Sequence, residues 1–464
     1  MGSFVVREIC KKGLFSYNNS SSSARLILSI FIPIIVPFFF AQESSAISNY
    51  TQYGNNNNNN NIGQVVISSL RLARIQRHLD NINKPPVFTI QSPDGDIIDC
   101  VHTRKQPALD HPLLKNHKIQ RVPSSEMPKS MRNYKVKTDG AKDRNTTTGN
   151  SGARRVDPLI KGVWQTWHQN GARCPNGTVP IRRSTVHDVL RAKSLYHFGK
   201  KKSKYGAFKV AAAAPDVVSG NGHEGEVYGA KATINVWDPS IEVVNEFSLS
   251  QIWVLSGSFD GSDLNSIEAG WQVSPELYGD SRPRLFIYWT SDAYQATGCY
   301  NLLCSGFIQT NSRIAIGAAI SPVSSMGGNQ YDITILIWKD PKLGNWWMGF
   351  GDNTLVGYWP TELFTHLTDR ATMVEWGGEV VNSQSNGGHT STQMGSGHFA
   401  EDGFTRASYF RNLEVVDSDN NLISAQDIST LAENTNCYNI KNSNNNQWGT
   451  HFYYGGPGKS PQCP

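Results

Sequence analysis

The sequence predicts a mainly β protein: an antiparallel sandwich or barrel preceded by a smaller α+β domain. Three observations carry this reading. From about residue 223 the chain is a series of short β-branched and aromatic runs, among them "AKATINVWDP", "FSLSQIWVLSG", "RLFIYWTSD", "DITILIWKD" and "NWWMGFGDNTLVGYWP". Gly, Pro, Asn and Asp part them at fairly even spacing, which is the grammar of a sandwich or barrel. Helical periodicity is confined to the first 205 residues, apart from "PTELFTHL". Charged residues make up only 17% of the chain while Gly alone counts 41, a balance that suits a secreted β-rich chain better than a cytosolic helical one.

The elements follow in order. Lys11, Lys12 and Arg25 precede the apolar run Leu26 to Phe40, and the small-residue exit "AQESSA" follows. Residues 1–41 therefore read as a secretory signal. An uncleaved anchor is the alternative, and only then would the chain meet a membrane; the run is short of the roughly twenty residues a span needs. Residues 42–64, with the run "NNNNNNNIGQ", are a low-complexity linker. Residues 65–205 form the smaller domain. Ile67, Leu70, Leu72, Ile75 and Leu79 have helical spacing between Val65 and Ile82. "VFTIQSPDGDIIDC" reads as two strands around a Pro-Asp-Gly turn, and Ser184 is placed to cap a helix starting near Thr185. A polar stretch at 122–154 is expected to be mobile. The basic run "GKKKSKYGAFK", which starts at Gly199, and the small residues after it read as an exposed joint, with the processing linker at 206–222 and the sandwich domain at 223–464.

Seven cysteines occur, and Cys10 would leave with the signal. The remaining six suit an oxidising compartment. They allow fifteen pairings, of which Cys299–Cys304, Cys437–Cys463 and Cys100–Cys174 is the simplest set. Sequons at Asn49, Asn145 and Asn176 also fit an exported glycoprotein.

The net charge of +5 hides an asymmetry. Residues 211–464 hold 11 Lys+Arg against 26 Asp+Glu, and the first 210 hold 32 against 12. A basic stretch is often a nucleic-acid footprint, but export argues against that partner. The acidic half of the same chain is the better-placed one. Ten of the twelve tryptophans lie in that acidic half.

Several chemistries lack their signatures. "GNGHEG" formally matches a dinucleotide fingerprint but opens no helix. "GGPGKS" lacks the upstream Gly of a phosphate loop. No G-x-S-x-G, H-E-x-x-H or Asp-Thr/Ser-Gly occurs, and His389 and His398 have no usual metal spacing. No cofactor and no metal is expected.

Two carboxylates stand out. In "SIEAGWQV", Ile267, Ala269, Trp271 and Val273 alternate with Ser266, Glu268, Gly270 and Gln272, the pattern of a strand with one apolar and one polar face. The plain reading puts Glu268 in water. In "TMVEWGGEVV", Val374, Trp376, Gly378 and Val380 share one face, and Glu375, Gly377 and Glu379 the other. Glycines inside a strand mark a bulge or a close backbone approach, such as that of an extended peptide. Two strand carboxylates among aromatic residues make a candidate acid/base pair.

The stretches around these residues are informative beyond their pattern. "GDIIDCVHTRKQPALDHPLLKNHKIQ" and "CPNGTVPIRR", then "EFSLSQIWVLSG", "IEAGWQVSPELYGD", "EWGGEV" and "HTSTQMGSGHFAEDGFTRASYFRNL", resemble the plant neprosin family of secreted glutamic endopeptidases. The resemblance spans nearly the whole chain after the signal. It implies an N-terminal activation domain and a double-layer sandwich with its catalytic pair on the concave face. It places that pair on Glu268 and Glu379, not Glu375. It pairs Cys299 with Cys304 and Cys437 with Cys463. It implies a peptide or protein substrate, and proline-directed cleavage is known in the family, which makes Pro215 a candidate processing position.

The chemistry asks for a carboxylate to take a proton from water and a protonated carboxyl to assist the carbonyl or the leaving nitrogen. Two nearby carboxyls share one proton because the second ionisation meets like-charge repulsion. Gln272, on the face of Glu268, is a candidate for supporting the oxyanion or orienting the water. A glycoside hydrolase also uses two carboxylates, and a carbohydrate-binding sandwich with tryptophan platforms is the third reading. A monomer is expected.

Overall fold

The computed structural model describes residues 68–130, 160–162, 164–168, 171–201, 216–258, 262–351, 353–384 and 388–464. The expected signal, the linker, Asn49, Asn145 and Pro215 lie outside the described residues. Asn176 is exposed, in a turn before the strand Thr178–Arg182.

The smaller domain opens with the helix Ser69–Ile82, whose Ile75 and Leu79 are buried. The strands Pro86–Gln91 and Ile97–His102 form the expected hairpin, and Thr178–Arg182 completes a three-stranded sheet. A disulfide joins Cys100 to Cys174, with Cα atoms 5.3 Å apart. The helix Val186–Arg191 is capped by Thr185 rather than Ser184. The Thr185 hydroxyl accepts from the Asp188 amide, and the Asp188 carboxylate accepts from the Thr185 amide, a reciprocal pair that Ser184 stands one residue too early to make.

The larger domain is a two-layer sandwich. One sheet has seven strands in the order Cys299–Tyr300, Arg284–Thr290, Asn265–Val273, Ser248–Ser256, Ala371–Val381, Asp216–Val227 and Ser429–Ala432. The other centres on Gln330–Lys339, Gly229–Asn235 and Ser408–Val416. Their facing sides supply the core: Ile252, Val254, Ile267, Ala269, Trp271, Val374 and Trp376 from the first; Ala232, Ile234, Ile335, Ile337 and Phe410 from the second. Each large apolar side chain buried this way stabilises the fold by about 1.5–3 kcal/mol. Disulfides join Cys299 to Cys304 and Cys437 to Cys463. "PTELFTHL" gives only the 3₁₀ turn Thr361–Leu363, since the amides of Thr365, His366 and Leu367 donate to the Asn265 side chain instead of continuing a helical ladder.

The joints differ from expectation. The segment expected to be mobile is fixed over its first part: Lys129–Ser130 pairs in parallel with Asn421–Ser424. Ile160–Gly162 likewise adds in parallel to Gln330–Lys339. The smaller domain thus contributes short strands to the second sheet of the sandwich. The joint at 206–222 is also shorter than expected. The strand Asp216–Val227 already belongs to the sandwich, hydrogen-bonded between Ala371–Val381 and Ser429–Ala432. Its three glycines in twelve residues hide it from a propensity reading. Removing it would strip the ladder beside Glu379, which pairs with Val218. Mass spectrometry of a matured protein is therefore expected to find its N-terminus at or before Asp216; an active form starting at Gly222 or later would show the strand to be dispensable.

Candidate active site

Glu268 sits mid-strand in Asn265–Val273, opposite Trp253 on one side and Tyr288 on the other. Glu379 lies on Ala371–Val381, opposite Leu249 of the intervening strand Ser248–Ser256. Alternation puts both on the face turned away from the sandwich core. The two strand glycines have different reasons. Gly378 faces inward, where a Cβ would come within 2.8 Å of Met394 and Tyr454, so core packing requires it. Gly270 lies on the face of Glu268, where a Cβ would sit 1.9 Å from the Ser250 carbonyl.

That face is not in water. Every residue of Asn265–Val273 is buried, Glu268 completely. The smaller domain covers it: Ile75, Leu79, Val189 and Phe198 pack with Leu249, Trp253, Leu255, Phe286, Tyr288 and Tyr300. Period-2 reading assigned the face correctly and its environment wrongly, because alternation says which way a side chain points and not what lies over it.

The covering chain reaches the carboxylates at Lys201. The Tyr300 amide donates to the Gly199 carbonyl at 2.7 Å, and the Lys201 amide donates to the Tyr288 hydroxyl at 3.2 Å. Lys201 then extends its side chain between the glutamates. Its Nζ lies 3.2 Å from Glu268 Oε2 and 3.0 Å from Glu379 Oε2. Only 8% of the lysine side chain is accessible, against 0% and 2% for its partners. Burial alone would push the ammonium down; the charges of Glu268 and Glu379 outweigh it and hold Lys201 well above its ordinary value. Lys201 was read from sequence as part of an exposed joint, and the structure corrects that.

Three neutral side chains also donate to Glu268. Tyr294 Oη and Ser266 Oγ reach Oε1 at 2.7 and 3.1 Å, and Gln251 Nε2 reaches Oε2 at 3.1 Å. Burial, and then the neighbouring Glu268 charge, push the Tyr294 phenol well above its ordinary range, so it is a donor at any working pH. Gln272, the sequence candidate for this role, is elsewhere: its amide donates to Tyr278 Oη at 3.4 Å. Gln251 was the better amide, and the signal was available, since "SLSQIWVL" places one amide mid-strand in an apolar run. Glu375 is part-buried on the strand of Glu379.

Further polar contacts tie the smaller domain down. Asp96 accepts from its own domain's Arg182 at 2.8 Å and from Arg284 of the sandwich at 2.5 Å, which reverses the expected sign of attraction between the halves. Asp340 accepts from the Gln120 side chain and the Ser124 amide at 2.6 and 2.7 Å. Burial raises both carboxyls, but Arg182 and Arg284 for Asp96, and the Ser124 and Gln120 donors for Asp340, leave each below the ordinary 3.8.

None of the ten tryptophans of the acidic half is exposed while the smaller domain is in place. His389 lies near Cys437 and Cys463, whose sulfurs are joined in a disulfide.

Comparison with known proteins adds the family. Residues 244–457 match the profile described as Neprosin, and residues 89–228 match the Neprosin activation peptide. The chain belongs to the neprosin family. Among solved structures it is similar to Scytalido-glutamic peptidase with a peptide-based transition-state analogue, at 13% identity and a TM-score of 0.29, covering 52% of this chain and 98% of that one. It is also similar to SCP-B, a member of the Eqolisin family of peptidases in complex with the tripeptide Ala-Ile-His, at 11% identity and a TM-score of 0.27, covering 53% and 98%. At that distance neither carries a residue role to this neprosin-family chain.

Proposed function

We propose that this chain is the latent precursor of a secreted acid glutamic endopeptidase, in which Glu268 and Glu379 activate water and Lys201 of the activation domain blocks them. The observation that carries this is the convergence of two buried strand carboxylates on one ammonium from the activation segment. No structural need explains placing two carboxylates on one covered face, since a buried charge is costly to desolvate. A working pair that must be kept silent does explain it. Family membership, three disulfides and the N-terminal apolar run support export.

With Lys201 withdrawn, water takes its place between the Oε2 atoms. Glu268, held in place by three donors, takes the role of base, and Glu379 carries the shared proton. Water attacks the scissile carbonyl carbon and its proton passes to Glu268. Glu379 gives its proton to the carbonyl oxygen as a tetrahedral diol forms. When the diol collapses the C–N bond breaks, the leaving nitrogen takes the proton held by Glu268, and a diol hydroxyl returns its proton to Glu379, which restores the pair. The step needs no covalent intermediate. The uncovered cleft is lined by Trp253, Phe286, Tyr288 and Tyr300, all buried under the activation domain, which suits apolar or proline-containing peptides. The test is acid incubation of the secreted protein with a mixed peptide library and a glycan panel. Peptide products, enriched for proline before the cut, are expected. Reducing-sugar release, or glycan retention without cleavage, would replace this reading.

A further inference from the structure

We infer that Tyr294 is a positioning residue for the reaction, holding Glu268 oriented through Oε1 so that Oε2 alone faces the reacting water; this rests on the function proposed above. The two oxygens of Glu268 are used differently. Oε2 meets Lys201 and Gln251, whereas Oε1 is held by Tyr294 and Ser266. Lys201 leaves with the activation domain. Tyr294, Ser266 and Gln251 belong to the sandwich and stay.

The chain around Tyr294 is built to place that hydroxyl. Ala293 and Tyr294 both have left-handed backbones, with φ of 53° and 62°. Two consecutive non-glycine residues there are uncommon, and such outliers persist only where the surroundings over-determine them. Here they do. The Ala293 amide donates to the Leu264 carbonyl at 2.9 Å and the Tyr294 amide to Thr290 Oγ1 at 3.1 Å. Asp292 accepts from the amides of Ala296 and Thr297 at 2.9 Å each, and from Thr297 Oγ1 at 2.6 Å. The Tyr294 ring stacks on Tyr288, with centroids 5.9 Å apart and planes 26° from parallel. The Cys299–Cys304 disulfide closes the chain just beyond. A ring needed only for packing would not require this backbone, nor its hydroxyl 2.7 Å from a carboxylate.

The experiment compares the matured wild type with Tyr294→Phe and Ser266→Ala on one peptide across pH. The titratable and charged groups facing Glu268 are Lys201, lost on maturation, and Glu379, Tyr288, Tyr294 and Tyr300. Removing the hydroxyl withdraws support from the carboxylate form, so the acidic limb of kcat/KM should move to higher pH. Misplaced reacting groups cost up to about 100-fold, so kcat should fall about 10- to 100-fold with KM nearly unchanged. Ser266→Ala should move the limb the same way by less. A wild-type kcat and limb in a folded Tyr294→Phe protein overturns the inference, as does a raised KM at unchanged kcat. Should Tyr294→Phe lower the Tm sharply, Ser266→Ala decides, and an unmoved limb in it is equally fatal. An inactive wild type would instead refute the peptidase reading itself.

Discussion

Glutamine at either Glu268 or Glu379 is expected to abolish acid endopeptidase activity and leave the sandwich folded. Each change keeps the shape of the side chain and removes its proton chemistry. A general acid–base contribution is worth about 10²–10⁴ in rate, and two groups that act as a unit are not additive. The double mutant should therefore be little worse than either single. Glu375→Gln should be tolerated, since Glu375 lies on the same strand but is not among the groups holding Lys201. All four proteins must be freed from their activation domains by the same added protease, so that lost maturation is not mistaken for lost catalysis. Values of kcat/KM at acid pH then decide. Near-wild-type activity in either single mutant would return that glutamate to a structural role.

Much of this site was legible in the sequence. Glu268 and Glu379 could be placed on strand faces because alternation fixes the side of a strand, and the family motifs singled them out from Glu375. The sandwich was legible because seven turn-bounded runs leave few other folds. The strand Asp216–Val227 was not, since "DVVSGNGHEGEV" has little β propensity and owes its conformation to partners on both sides. Lys201 was not legible either. "GKKKSK" offers four lysines in near-identical surroundings, and nothing local says which will reach the carboxylates. Tyr294 sits in a loop, where no period exists to aim a side chain. What the sequence hides is mostly what one part of the chain does to another: the covered polar face, the ammonium delivered to it, and Asp96 paired against the overall charge trend.

Replacing Lys201 with Met should reverse the pH dependence of latency. Breaking a buried ion pair by removing one partner costs about 3–5 kcal/mol, because the other charge stays buried. At neutral pH the variant leaves two facing carboxylates under the activation domain without their counter-charge. The covered state should weaken by that amount, about 10²- to nearly 10⁴-fold in affinity. Acid sensitivity in the wild type cannot come from the lysine itself. Its ammonium is held above its ordinary value, so its contribution is complete at every pH below 10.5 and fades only in strong alkali. Acid acts on the acceptors. Protonating Glu268 or Glu379 strands a desolvated ammonium, and the cover opens. Asp96 and Asp340 add a second phase: each is held below 3.8, so its contribution is present above that value and is lost as pH falls below it. With Met at 201 there is no ammonium to strand, so mild acid should relieve carboxylate repulsion and strengthen the cover. The measurement is retention of the activation domain after an added protease cuts within residues 202–215, followed by size-exclusion chromatography across pH. The wild-type complex should persist at neutral pH and separate in acid. The Lys201→Met complex should separate at neutral pH and be retained better as the pH falls. Equal retention of the two at neutral pH would mean that the apolar cover and the Asp96–Arg284 clamp hold the precursor closed without the lysine.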